Sequence, residues 1–250
     1  MSAPTDPAVV APGLTRLAEL DATVTQCRAC PRLVAWREEV GRVRRRAFAA
    51  ESYWSRPVAG FGPADASLLL VGLAPAAHGG NRTGRMFTGD RSGDVLIAAL
   101  NGLGLASQPT SISRDDGLEL RGVRITAPVH CAPPDNKPTV AERDTCRPWL
   151  VRELELLRPT VRAVVVLGAF GWQAALPALS AAGWDVPRPR PVFAHGVRTT
   201  LHAADGGGGK LALFGCYHVS QQNTFTGRLT PAMLRGVLAA AAHTAGLATH

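Results

Sequence analysis

Four short runs along the chain are apolar almost without interruption: SLLLVGL at 67–73, VRITAPV at 123–129, VRAVVVLG at 161–168 and KLALFGCYH at 210–218. A strand with one solvated face alternates polar and apolar positions, whereas continuous runs fit parallel strands covered on both faces. Between the runs, helical spacing appears over 92–103, 141–157 and 169–182, and a last helix is predicted over 231–245 from Pro231. Ahead of the first run, Leu14, Leu17, Leu20 and Val24 mark a helix over 13–26 that leads into Cys27. A second helix is expected after Pro31, a residue suited to the first helical turn, with Leu33, Val34 and Trp36 on its apolar side. Strands alternating with helices predict a layered α/β fold with a mainly parallel, four-stranded sheet, whose ligands collect at the carboxyl ends of the strands. Residues 1–12, rich in Pro and Ala, read as a loose tail, and 13–250 as one domain; GGGG at 206–209 reads as a flexible hairpin or loop tip.

Composition adjusts this picture modestly. At 250 residues and 46% hydrophobic, the chain is long enough to bury a substantial single core. Its 27 Lys+Arg against 19 Asp+Glu give a net charge of +8, which favours a polyanionic partner. Abundant Ala, Gly, Arg and Pro suggest a compositional bias that weakens this inference. RVRRRAF at 42–48 is a local basic cluster, read either as a solvated face or as a phosphate contact. The first residues lack the basic and apolar regions of an export signal, and no run approaches a membrane span, so a cytoplasmic protein is expected.

Five cysteines, an odd number, argue against a disulfide framework. Cys27-x2-Cys30 is followed by Cys131-x14-Cys146. Two such pairs of thiolates suit tetrahedral zinc or a four-iron four-sulfur cluster; the wide second pair leans toward the cluster, and unrelated reduced cysteines stay open. Cys216, inside an apolar strand, reads as a buried free thiol.

The ends of the strands carry the remaining chemistry. VGLAPAAHGGNRTGRMFTGDRSGDVL at 71–96 is broken by Pro75, Gly79, Gly80, Gly84 and Gly89, which let backbone amides approach a ligand. Within it, Arg82 and Arg85 are candidates to neutralise phosphate and Phe87 to stack on a base, ahead of a helix N-terminus near Ser92. No GxxxxGK[ST] phosphate loop is present. TAPVHCAPPDNKPT at 126–139 supplies Cys131 and Asn136, and HVSQQNTFTG at 218–227 supplies His218. Asp90, Asn136, His218 and Phe87 are thereby expected around one site.

GLAPAAHGGNRTGRMFTGD at 72–90, HVSQQNTFTGRLTP at 218–231 and the four-cysteine pattern resemble the uracil-DNA glycosylase superfamily, and within it family 5, or type b. The resemblance covers nearly the whole chain from Cys27. It implies a three-layer α/β/α sandwich, a structural 4Fe-4S cluster held by Cys27, Cys30, Cys131 and Cys146, and hydrolysis of the bond between deoxyribose and a damaged base. An abasic site would remain, with no strand nick and no covalent intermediate. In this pattern Asp90 and Asn136 handle the water, His218 stabilises the departing base and Phe87 stacks on it. Gly72, Ala74, His78, Arg82, Arg85, Ser220, Asn223 and Arg228 complete the expected substrate and DNA contacts. Ser220, Gln221, Gln222 and Asn223 are candidates for the groove, and Phe225 either fills the gap left by the flipped nucleotide or packs back on the protein. Ala127 stands where several branches read the base with Asn, which implies relaxed discrimination and acceptance of hypoxanthine or xanthine besides uracil. The expected partner is double-stranded and also single-stranded DNA, bound by a monomer. Two other classes remain open on the sequence alone: a zinc-stabilised, non-catalytic nucleic-acid-binding protein, and an iron-sulfur electron carrier or redox sensor.

Overall fold

A strand buried on both faces sends alternate side chains to two sides of the sheet; the runs at 67–73, 161–168 and 210–218 feed two apolar cores, whereas the run at 123–129 gives Val123 and Ile125 to one core and Arg124 and Thr126 to a buried polar network. The computed structural model describes residues 6–249. Its helices and strands, in chain order, are α1 (Pro7–Val10), α2 (Leu17–Val24), α3 (Pro31–Val43), β1 (Leu68–Val71), α4 (Gly80–Thr83), α5 (Arg91–Asn101), β2 (Val123–Thr126), α6 (Val140–Leu157), β3 (Ala163–Leu167), α7 (Ala169–Ala181), β4 (Trp184–Asp185), β5 (Arg198–Ala203), β6 (Lys210–Cys216), α8 (Gln221–Phe225) and α9 (Pro231–Thr244). Leu68, Leu70, Val123, Ile125, Val165 and Leu167 pack with Leu96 and Leu100 of α5 and Leu234 and Leu238 of α9. Leu69, Val71, Val164 and Val166 face the other way, onto Leu20 of α2, Trp149 and Leu154 of α6, and Leu179 of α7. Helices therefore cover both faces, and the three-layer α/β/α arrangement follows directly from the burial of each strand.

The sheet has six strands in the order β2-β1-β3-β6-β5-β4, two more than the expected four. β2, β1, β3 and β6 are parallel, with Leu68 opposite both Val123 and Ala163, and Ala163 opposite Ala212. β5 runs antiparallel to β6 and β4 antiparallel to β5. The added ribbon escapes the hydrophobic pattern because β5 buries only Leu201 fully and β4 is two residues long. The 206–209 glycines fall in the turn that joins β5 to β6, with Gly206 and Gly208 at positive φ.

The expectation of a loose tail does not hold for residues 6–12; residues 1–5 lie outside the described residues. Asp6 caps α1 by accepting the Ala8 amide at 2.9 Å, Pro7 occupies its first turn, and Pro7 and Ala11 are buried against the α2–α6 side of the molecule. A buried ion network fastens that side to the sheet. Arg124 of β2 donates to Glu153 of α6 at 2.5 Å and to Asp21 of α2 at 2.6 Å, while Thr126 donates to the second Glu153 oxygen at 2.6 Å. Removing one partner of such a network costs roughly 3–5 kcal/mol, because a buried charge is left uncompensated. No helix among the described residues is long and apolar enough to cross a membrane.

β1 lies between β2, which follows it, and β3, which follows β2, so the chain crosses over β1 and opens a crevice at the carboxyl ends of β1 and β3. Gly72 leaves β1, Gly168 leaves β3, and Tyr217 and His218 leave β6 at that same end.

Candidate active site

Three glycines bring the site together. A Cβ on Gly72 would stand 2.9 Å from Cε2 and 3.0 Å from Cζ of Phe87, so the aromatic ring lies directly on the backbone leaving β1. Phe87 itself has φ 49, a left-handed conformation that a bulky residue adopts only when its surroundings hold it. Gly168, at φ 91, lies so near His218 that an added Cβ would be 3.1 Å from the His218 Cβ. Gly79 makes room for a carboxylate: a Cβ there would overlap Oδ2 of Asp90 at 1.9 Å.

Phe87 and His218 face each other, with ring centroids 6.4 Å apart and planes 35° from parallel. Burial pushes the His218 pKa down to about 4, so the imidazole is neutral at pH 7. A neutral ring still carries one N–H donor. The histidine is held from behind: its carbonyl accepts from Nδ2 of Asn223 at 2.8 Å, and the preceding Tyr217 amide donates to Nδ1 of His195 at 3.2 Å. Asp90 caps α5, accepting the Gly93 amide on Oδ1 at 2.9 Å. Burial raises its pKa, against the lowering effect of the helix amides, and Oδ2 is left against Gly79.

The expected phosphate-binding arginines are otherwise engaged. Arg85, 6% exposed, donates to Asp116 at 2.8 Å, to Ser111 at 3.0 Å and to Thr88 at 2.9 Å. Arg82, 8% exposed, pairs with Glu51, donates to the carbonyls of His78 at 2.8 Å and Gly89 at 3.0 Å, and stacks on Phe48. Both guanidiniums are staples of the 78–90 loop, and a phosphate would have to compete with these partners. In this structure neither guanidinium is presented free to a phosphate, unlike the expectation for a DNA contact. Their acidic partners lie about thirty residues away, with no spacing in the sequence to announce them.

Other expected residues divide similarly. Asn223 spends its amide on the His218 carbonyl and so positions the histidine. Ser220 stands at the N-cap of α8 with no side-chain capping bond, and Arg228 is exposed and lies over the Tyr217 ring at 4.8 Å. His78 accepts or donates at Nδ1 with the Tyr53 hydroxyl at 3.0 Å, and burial, Arg45 and Arg82 lower its pKa. Ala74 packs beside Cys30, Cys131 and Phe170 rather than beside Phe87. Asn136 is exposed at φ 55, following Asp135 at φ 53, and makes no hydrogen bond with Asp90 or His218 among the described residues. Ala127 is buried at the exit of β2. The sequence pattern does not reveal Trp54, whose ring carries Arg56 at 5.4 Å and Arg114 at 4.8 Å, two exposed cations above an aromatic face near the Gly84 turn.

Cys27, Cys30, Cys131 and Cys146 line one cavity together with Leu33, Arg37 and Trp149. Cys27 follows α2, Cys30 caps α3, Cys131 lies on the loop after β2, and Cys146 sits in α6. Arg32 clamps α3 to α6 through both oxygens of Glu142, at 2.7 and 2.8 Å. Burial pushes the Cys30 thiol up to about 11 and Cys131 to about 12, and Cys146 is raised as well. Among the described residues no three His, Cys, Asp or Glu side chains gather where one metal ion could be held. Cys216 is buried away from this group, beneath the sheet end that bears His218.

A parallel sheet whose strand ends present a neutral histidine opposite an aromatic ring, with a helix-capping carboxylate alongside, defines a class of protein. Residues 59–242 match the uracil DNA glycosylase superfamily, and the chain belongs to it. Within that class it falls among the type-5 enzymes. It is 55% identical to the type-5 uracil-DNA glycosylase of Mycobacterium leprae (strain TN) over 237 residues, 94% of this chain and 98% of that protein. The type-5 uracil-DNA glycosylase of Mycobacterium tuberculosis (strain CDC 1551 / Oshkosh) is 55% identical over 95% of this chain and 85% of its own length. That of Thermus thermophilus is 51% identical over 90% of this chain and 96% of its own length.

Proposed function

We propose that this protein is a monofunctional DNA N-glycosylase that hydrolyses the bond between deoxyribose and uracil, and accepts deaminated purines such as hypoxanthine and xanthine. The observation that carries this reading is the pairing of Phe87 with a neutral His218 at the crevice of the sheet, in a chain of this superfamily. Cleavage develops negative charge on the departing base, and a preorganised neutral N–H donor at a base oxygen stabilises it without first having to lose or gain a proton. Phe87 offers its face to the flipped base, and Asp90 offers Oδ2 to the attacking water. Asn136, on the loop after β2, is the second group assigned to that water. Unstacking the target base costs a few kcal/mol. Exposed Arg45, Arg46, Arg56, Arg114 and Arg228 supply phosphate contacts that offset it. The enzyme acts as a monomer on double-stranded and single-stranded DNA in the cytoplasm.

Ala127 carries the substrate range. A methyl group reads neither edge of a pyrimidine, so nothing at that position rejects a purine. Release of hypoxanthine and xanthine at rates within roughly tenfold of uracil is the expected outcome on matched duplexes, with strand scission only after alkali; strict uracil specificity contradicts it.

The four cysteines fit a 4Fe-4S cluster with a structural role. Two buried donors that can only donate, Nε of Arg37 and Nε1 of Trp149, have no partner among the described residues, and both side chains line the cysteine cavity. Acceptor sulfurs in that cavity supply what these donors lack. Cys27, Cys30, Cys131 and Cys146 would hold the group, tying α2, α3 and α6 to the loop after β2. Purified protein is expected to be brown and to contain iron and acid-labile sulfide; a colourless protein loaded with zinc contradicts this.

A further inference from the structure

Four arginines are buried among the described residues: Arg37, Arg82, Arg85 and Arg124. Three have carboxylate partners, Glu51 for Arg82, Asp116 for Arg85, and Asp21 with Glu153 for Arg124. Arg37, 1% exposed, has none among the described residues. Its Nη1 donates to Sγ of Cys131 at 2.8 Å, its Nη2 donates to the Cys27 carbonyl at 3.1 Å, and its Nε has no partner. A guanidinium stays charged at any physiological pH, and a buried charge without a counter-charge is strongly unfavourable. The position follows from the helix itself, since Arg37 stands four residues after Leu33 and three after Val34, on the buried side of α3. No carboxylate among the described residues forms an ion pair with it; Glu38, next along α3, feels its charge but is paired with Arg28.

We infer that Arg37 is the counter-cation of the iron-sulfur cluster, neutralising the excess negative charge of the four thiolates and setting the cluster's reduction potential through its bond to the Cys131 sulfur. The inference rests on the cluster reading above. The cluster's thiolates outweigh the positive charge of its core, so the assembly is anionic and a buried cation at one ligand sulfur stabilises it. Each added electron makes the assembly more negative, so the same cation favours the reduced state more than the oxidised one. Trp149, with its unpartnered N–H on the same cavity, contributes a neutral donor and no charge.

The test compares the full-length holoprotein with Arg37→Met, Arg37→Gln and Arg37→Lys. Iron and sulfide per chain, the midpoint potential on an electrode and the rate of iron loss to a chelator are measured for each. Met and Gln, both neutral, are expected to shift the potential to more negative values and to lose iron on the order of tenfold faster. Lys, which keeps the charge, is expected to hold the potential near the wild-type value. A packing role alone predicts that Lys fails along with Met, or that all variants keep the wild-type potential; either result overturns the inference. Gln decides the matter where Met does not fold. A wild-type protein without iron and sulfide refutes the cluster itself, a result distinct from a loaded wild type whose potential ignores Arg37.

Discussion

Asp90 carries two separable functions, and one substitution separates them. Its Oδ1 caps α5 through the Gly93 amide, while Oδ2 lies against Gly79. Asn is as good an N-cap as Asp but cannot act as a base. Asp90→Asn is therefore expected to keep its stability within about 0.5 kcal/mol of wild type while losing on the order of 10²–10⁴-fold in base release. Asp90→Ala is expected to lose about 1 kcal/mol of stability as well. Urea unfolding beside single-turnover rates reads both, and a fully active Asn variant would leave Asp90 as a cap alone. His218 gives a pH signature. Burial holds its pKa near 4 in the folded protein, whereas in the unfolded chain it takes a proton at about 6.5. The unfolded state thus binds the proton first, and the stability present above pH 6.5 is lost as pH falls toward 4. His218→Gln removes that loss, so the stability difference between variant and wild type should move in favour of the variant between about pH 7 and 4.5; parallel pH dependences would contradict a neutral, desolvated imidazole. His218 and Phe87 are legible as site residues because they sit in long motifs at strand ends. The inward pairing of Arg82 and Arg85 is not legible, because a positive charge in a glycine-rich loop looks the same in sequence whether it faces phosphate or a carboxylate of its own chain. Asp116 and Glu51, which decide the matter, are far away in the chain.

At the scale of elements, the loop after β6 folds into the short helix α8 (Gln221–Phe225). The sequence pattern predicts a polar turn with Phe225 unassigned. Instead residues 221–225 form a helical turn that leaves Phe225 72% exposed, against a background where most large apolar residues are buried. That exposure rules against packing on the protein and favours insertion into a gap in stacked bases. Phe225→Ala should leave stability within about 0.5 kcal/mol, because an exposed ring contributes little to folding. Base release from duplex DNA should fall by roughly tenfold or more, and release from single strands, which need no wedge, should change little. Equal losses on both substrates would point to a contact with the flipped nucleotide instead. The strands that form the crevice are legible for a plain reason: burial on both faces favours continuous apolar runs, and β1, β3 and β6 are buried along nearly their whole length; β2 is equally buried but satisfies Arg124 and Thr126 through Glu153. β5 is not legible in this way, since its alternation of exposed and half-buried positions resembles a loop with occasional apolar residues.

Across the whole molecule, the loop that leaves β1 touches both centres. Gly72 supports Phe87, and Ala74 packs beside Cys30 and Cys131. The cysteine cavity gathers α2, α3 and α6, and Arg124 with Glu153 and Asp21 fastens two of those helices to β2. The groups proposed for base release thus sit on strand-end loops, and the cysteine cavity lies where the N-terminal helices meet α6 and the loop after β2. The net charge of +8 is borne partly by the exposed arginines 45, 46, 56, 114 and 228, which suits a surface that meets a phosphate backbone. The central claim is tested most directly by incubating the holoprotein with a uracil-containing duplex in EDTA and then cleaving with alkali. Strand breaks at uracil are expected only after alkali, in wild type but reduced about 10²–10³-fold in His218→Ala. Absence of alkali-labile sites with the wild-type holoprotein, or equal activity in His218→Ala, would contradict it.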